Sequence, residues 1–274
     1  MATKPKTTTK KAPAQKPAPQ PKPTAIDKDT YLVVIPWLKA GAQGDELAYA
    51  VAGWQRHFKE KHLIIVVGED DPKLKGVKWI KSLRVPESEG QYRQHLDYVS
   101  CFRKVRAAYP ESEGFIFVAD DVYAVHDFDI IDVKVLKYQT EKIADTPNDP
   151  NPWKRDKAKG LAVLTAEGYP TRNYTTHLPQ WYEWDKLEKL WDKYDMDHES
   201  YLMEDLYFNI YYGDRLMHYV GDIASDPFYK CGVYRPNPRL NLIEEAFTKR
   251  IWIQNSPDGW IPELEQMLKN YYGL

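Results

Sequence analysis

Three apolar runs without polar alternation constrain this chain more than any other feature: Tyr31-Leu32-Val33-Val34-Ile35, Leu63-Ile64-Ile65-Val66-Val67 and Phe115-Ile116-Phe117-Val118. A strand with one wet face alternates apolar and polar residues. A run that is apolar at every position reads instead as a strand buried on both faces, the kind found inside a mostly parallel sheet. Between the first two runs Leu47, Val51, Trp54 and Phe58 recur at helical spacing, one apolar stripe on a helix that begins near Asp45. Asp45 and Glu46 fall in its first turn, where the helix dipole favours negative charge. Pro36 stops the first strand and Gly68 closes the second. The result is a β-α-β unit, with parallel strands and a right-handed crossover.

The pattern continues. Trp79 to Val85 predicts a weaker third strand, and residues 91–109 a helix with Leu96, Val99, Phe102 and Val105 facing the core. Pro110 and Gly114 punctuate the approach to the third apolar run. This alternation predicts a layered α/β domain. Further on, residues 146–159 read as a loop rich in Pro and Lys, and Leu161 to Thr165 as another strand. Helices are expected at Trp184–Tyr194, from about Ser200 to Gly213, around Ile243, Phe247 and Ile251, and from Leu264 to a stop at Gly273.

Residues 1–28 are a separate object, dominated by Lys, Pro, Thr, Ala and Gln, and too polar to fill a core. They predict a disordered tail ahead of a domain over 29–274. Its lysines suit an acidic partner, nucleic acid or anionic lipid, and a plain tether explains them as well. With a formal charge of −2 over 274 residues, the chain is no globally basic nucleic-acid binder. Two cysteines, Cys101 and Cys231, make neither a disulfide framework nor a zinc site. No apolar run is as long as a membrane span, and the N-terminus shows no secretory pattern, so a cytoplasmic protein without a transmembrane segment is expected.

The chemistry concentrates where the third run ends. Asp120-Asp121 would sit where the strand leaves the sheet, and open α/β sheets bind ligands at the carboxyl ends of their strands. Two hard oxygen ligands suit Mn²⁺ or Mg²⁺ that also holds phosphate oxygens. Taken alone, the pair is more simply an acidic turn that caps and solvates a strand end. Glu204-Asp205 places two more carboxylates at a helix start, and His218 offers an imidazole. His177 stands among Tyr169, Tyr174, Trp181, Tyr182 and Trp184, an aromatic set able to hold a sugar or simply to pack. Lys154, Arg155, Lys157, Lys159 and Arg172 form a basic group able to close over a diphosphate, or a solvated loop. The phosphate-loop, nucleophile-elbow and dinucleotide-binding glycine patterns are all missing from the sequence.

Taken in order, these motifs resemble a GT-A-fold glycosyltransferase, which uses nucleotide-sugar donors on a Rossmann-like sheet. Val33-Val34-Ile35-Pro36 is similar to the family's first strand, Phe117 to Val122 to its metal motif, Glu204-Asp205 to its second acidic motif and His218 to its C-terminal metal-binding histidine. The resemblance covers about residues 30–225. It implies a mostly parallel sheet flanked by helices and a metal-dependent hexosyltransferase. It further implies Mn²⁺ or Mg²⁺ on Asp120, Asp121 and His218, with Asp205 or else Glu204 as base. Donor contacts are expected from Pro36, Asp120, Lys154, Arg155 and Arg172, and contacts to a saccharide or other hydroxyl acceptor from His177, Trp181 and Tyr182. A narrower likeness is to the Stealth-type sugar-phosphate transferases of polysaccharide biosynthesis, through Asp45-Glu46-Leu47, Asp120-Asp121-Val122-Tyr123 and His177-Leu178-Pro179. A third reading is a non-catalytic binding or structural module on a degenerate transferase fold.

Overall fold

The computed structural model describes residues 23–69, 74–83, 93–215, 218–219 and 230–274, the pair 218–219 as backbone only. In chain order the elements begin β1 (Tyr31–Trp37), α1 (Glu46–His57), β2 (His62–Gly68), β3 (Lys78–Lys81), α2 (Arg93–Ala108), β4 (Gly114–Phe117), β5 (Val122–Ala124), α3 (Ile130–Lys134) and β6 (Lys137–Tyr138). They continue with α4 (Pro152–Ala166), β7 (Gln180–Glu183), α5 (Trp184–Lys193), α6 (Met203–Tyr212), β8 (His218–Tyr219), β9 (Lys230–Val233), α7 (Leu240–Lys249), β10 (Trp252–Asn255) and α8 (Pro262–Tyr272).

The main sheet runs β3-β2-β1-β4-β7. β1 lies parallel to both β2 and β4, pairing Val33 with Ile64 on one side and with Ile116 on the other. β3 is parallel to β2, and β7 closes the far edge antiparallel to β4. The expected mixed α/β domain with a mostly parallel sheet is therefore present. Successive residues of each strand point to opposite faces, and both faces are covered. Leu32, Val34, Ile65, Val67 and Phe115 meet Phe102, Leu187 and Leu206 in one layer. Val33, Ile35, Ile64, Val66 and Ile116 meet Leu47, Val51 and Trp54 in the other. That two-sided burial is why these runs carry no polar alternation.

A second sheet, β5-β10-β9, sits beside the first. β5 starts at Val122, so Asp120 and Asp121 occupy the short link by which the chain leaves the main sheet and enters the second. β10 is antiparallel to β5 and parallel to β9.

Three expectations are corrected. The stretch from Pro152 to Ala166 is a single helix, not a basic loop followed by a strand. Asn151 caps it, its side-chain oxygen accepting the Trp153 amide at 2.9 Å, and Pro152 takes the first turn, where no amide bond is lost. The chain after Phe247 turns into β10, so Ile251 belongs to no helix. The start of the chain is bonded to the domain earlier than expected: Thr24 N donates to Ala108 O at 2.7 Å, Ile26 packs on the core, and Asp27 pairs with Lys61. Most of the Lys/Pro-rich tail, residues 1–22, lies outside the described residues. Among the described residues no helix is long and apolar enough to cross a membrane.

Candidate functional site

The carboxyl ends of β1, β2 and β3 open into a pocket of about 480 Å³, lined by Pro36, Trp37, Glu69, Ser82, Tyr98 and Asp120 among others. A second cavity of about 140 Å³ adjoins it, sharing Gln94, Tyr98 and Asp120, and adds Asp121, Trp153, His177 and Glu204. The fold thus brings the carboxylates of two separate sequence motifs to the walls of one cleft.

Asp121 is partly buried and held from one side. Gln254 Nε2 donates to its Oδ2 at 3.1 Å, while Oδ1 has no hydrogen-bond partner among the described residues. Gln254 is fixed in turn by Tyr234, whose hydroxyl donates to Oε1 at 2.6 Å. The next residue of β10, Asn255, points the other way. Its Nδ2 donates to Glu46 Oε1 at 2.6 Å, and its Oδ1 accepts the Tyr123 hydroxyl at 2.5 Å. Glu46 is 4% exposed at the head of α1, with the Gln43 amide on its other oxygen at 2.7 Å.

Crowding of acids sets the electrostatics. Burial, then the charge of Asp121, pushes the Asp120 carboxyl up to about 8. Burial also pushes Asp121 up to about 6, against the Gln254 hydrogen bond that favours its ionised form. Glu204, in the first turn of α6, is raised to about 7 by burial and by neighbouring Asp205. Carboxylates that resist ionisation together, one with an oxygen left unpaired, are what a divalent cation relieves.

The two carboxylates of the second motif part company. Glu204 faces the cleft. Asp205 is 1% exposed and accepts the Tyr174 amide on Oδ1 at 2.6 Å. Burial raises it to about 6, opposed by the Lys157 ammonium and that amide. Lys157, 5% exposed, donates to Asn173 Oδ1 at 2.8 Å and Thr175 Oγ1 at 2.7 Å, and lies 4.7 Å over the Trp153 ring.

Of the remaining expected residues, Pro36 lines the larger pocket and His177 the smaller one. Trp181 lines a third pocket of about 770 Å³, which meets the small cavity at Tyr174 and Gln180. Tyr182 points to the other side of β7, fully buried, with its hydroxyl on Gln180 Oε1 at 2.7 Å. Lys154 pairs with Asp149 at 3.0 Å, Arg155 holds the Asp149 and Pro150 carbonyls at 2.9 Å, and Arg172 binds Glu141 at 3.0 Å. None of these three cations lines the cleft. His218 lies in β8, paired with Lys137 of β6, and its side chain lies outside the described residues.

Among the described residues no group of three or more His, Cys, Asp or Glu is placed to hold a metal ion by itself. Two carboxylates with an unpaired oxygen fit the other kind of site, an open one that leaves positions for water and substrate phosphate. Gln254, Asn255 and Lys230 escaped the sequence reading, because each is a buried polar residue whose partner is far away in the chain. The only signal was the short apolar run Ile251-Trp252-Ile253 preceding Gln254.

No protein-family model matches the chain, and no curated protein matches it either. Among solved structures it is similar to a glycosyltransferase involved in the glycosylation of the major capsid of PBCV-1. The two share 11% identity at a TM-score of 0.39, over 89% of this chain and 100% of that one. So distant a likeness leaves the chemistry to be judged from the cleft itself.

Proposed function

We propose that this chain is a metal-dependent glycosyltransferase that moves a sugar from a nucleotide-sugar donor to an acceptor hydroxyl. One observation carries the reading: Asp120 and the half-paired Asp121 follow a parallel strand and lie between a pocket of about 480 Å³ and a small cavity walled by Glu204. Asp120 and Asp121 would hold Mn²⁺ or Mg²⁺, which when bound supplies positive charge against a diphosphate leaving group. Pro36 and Trp37 at the end of β1, with Tyr98 opposite, wall the space for the base and ribose. Glu204, raised toward neutral pH, takes the proton of the acceptor hydroxyl. The acceptor oxygen so freed attacks the anomeric carbon from the side opposite the departing diphosphate, so the product anomer is inverted. Asp205 serves beneath it, holding the Tyr174 amide.

A sugar-phosphate transferase of the Stealth type is the second reading. What favours it is Glu46 of the Asp45-Glu46-Leu47 motif, buried close enough to raise the pKa of both Asp120 and Asp121. Calorimetry with Mn²⁺ and UDP or GDP tests the first reading, which fails if neither nucleotide binds or if Asp121→Ala binds them equally well. A phosphodiester in the product would decide for the second.

A further inference from the structure

His177 is held in a way that packing does not explain. Its backbone is left-handed, with φ at +55°, a conformation that costs a residue with a side chain and persists only where the surroundings impose it. The imposing contacts surround it. Lys157 binds Asn173 and Thr175, Asp205 holds the Tyr174 amide, the Lys230 ammonium binds the Thr176 carbonyl, and Gln180 Nε2 donates to Tyr174 O at 2.9 Å. Tyr174, Thr175, Thr176 and Leu178 are buried, yet His177 between them is exposed and lines the small cavity. Its ring makes no hydrogen bond to the described residues. The surrounding protein and then the ammonium groups of Lys230 and Lys157 push its pKa down to about 4, so the ring is neutral, with one donor and one acceptor nitrogen.

The charge around it is one-sided. Asp120, Asp121 and Glu204 line the cavity, and no arginine or lysine is among its described lining residues. The nearest ammonium groups, Lys157 and Lys230, are buried and already bonded to the loop. At about 140 Å³, the cavity holds little more than one sugar ring; a water takes about 30 Å³ of liquid.

We infer that His177 hydrogen-bonds a hydroxyl of the transferred sugar, and that this cavity selects a neutral sugar over one bearing a carboxylate. The inference rests on the transferase reading above. The neutral imidazole gives and takes a hydrogen bond at no charge cost, whereas the carboxylate of a uronic acid would meet Glu204, with Asp120 and Asp121 taken up by the cation and no lysine or arginine among the described lining residues to offset it.

Thermal unfolding of the wild type, His177→Gly and His177→Asn tests this in Mn²⁺ with UDP, GDP, UDP-glucose, UDP-galactose, UDP-N-acetylglucosamine, GDP-mannose and UDP-glucuronate. At least one neutral-sugar nucleotide is expected to raise the wild-type Tm beyond its nucleoside diphosphate alone, and UDP-glucuronate no further than UDP. His177→Gly is expected to melt higher than wild type when unliganded, because the backbone strain is released. It should keep the diphosphate shift and lose the sugar increment, equivalent to about three- to tenfold weaker binding. His177→Asn, which tolerates the left-handed turn and keeps both hydrogen-bonding functions, should retain part of that increment. An increment unchanged in His177→Gly, a lower unliganded Tm for that variant, or a larger increment with UDP-glucuronate overturns the inference alone. No shift with either UDP or GDP overturns the transferase reading and the inference with it.

Discussion

Gln254 Nε2 donates to Asp121 Oδ2 at 3.1 Å, tying the end of β10 to the end of β4 across 133 residues of sequence. The bond fixes which oxygen Asp121 leaves open. Gln254→Leu keeps about the bulk of the side chain but removes the donor, so the carboxylate turns free. Groups that orient metal-binding carboxylates typically affect affinity by about 10–100-fold. Calorimetry should therefore show Mn²⁺ binding weakened by that order in Gln254→Leu, with Tm lowered by about 2–12 °C because the Tyr234 hydroxyl and the Asn255 carbonyl lose the same partner. Unaltered Mn²⁺ affinity would mean that Asp121 is not a ligand.

Glu204 and Asp205 are neighbours in sequence with opposite surroundings, and their variants should separate. Glu204→Gln touches no buried bond of the loop and removes a crowded carboxylate, so its Tm should not fall below wild type while transfer falls by about 10²–10⁴-fold. Asp205→Ala leaves the buried Tyr174 amide without its acceptor, at a cost of about 1–3 kcal/mol. For a domain of this size each kcal/mol is about 2–4 °C of Tm. A Tm loss in Glu204→Gln rather than in Asp205→Ala would reverse the two roles.

The pH dependence follows from the same crowding. Asp120 at about 8 and Glu204 at about 7 have folded pKa values above their ordinary 3.8 and 4.5. The folded state therefore binds more protons than the unfolded one between those limits, and stability falls as pH rises through the window. His95 and His177, lowered to about 3 and about 4, act in the opposite sense, but only at and below their ordinary value of 6.5. From pH 6.5 to 8 the carboxylates outweigh them, helped by His198, whose pKa Asp195 raises, and the metal-free protein should lose Tm steadily. Mn²⁺ should restore more of it at pH 8 than at pH 6.5, and EDTA should reverse the gain. A flat Tm from pH 6.5 to 8 without metal would contradict the crowding.

These contrasts show where the sequence was informative. β1, β2 and α1 were legible because their residues obey one rule over the whole element: apolar throughout a two-faced strand, apolar every third or fourth residue on the helix. Asp120-Asp121 was legible as a strand end for the same reason. β9 and β10 were not. Each is four residues long and carries buried polar side chains, Lys230, Gln254 and Asn255, satisfied by partners that only the fold supplies. The α4 helix was masked by two prolines and a glycine near charged residues, although Asn151-Pro152 is a sound helix start. The separation of Glu204 from Asp205 could not be read at all, since both occupy one helical turn and only the position of Tyr174 decides between them.

β7 was likewise hidden, and a single glycine tests its place. Gly114 opens β4 opposite Glu183, with Phe115 facing Tyr182 on the antiparallel neighbour. A β-carbon added at Gly114 would overlap the Tyr182 carbonyl oxygen and stand 2.8 Å from the Trp181 ring. Both obstacles belong to β7, and the first is backbone, so the clash is relieved only by moving the strands apart. Overpacking of that kind costs about 1–3 kcal/mol, which corresponds to a Tm lower by about 2–12 °C. Because β7 feeds directly into α5 and shares Tyr182 with the layer beneath Phe115, the loss should appear as one cooperative transition at lower temperature. Gly114→Ala melting at the wild-type temperature would show that β7 does not pair with β4.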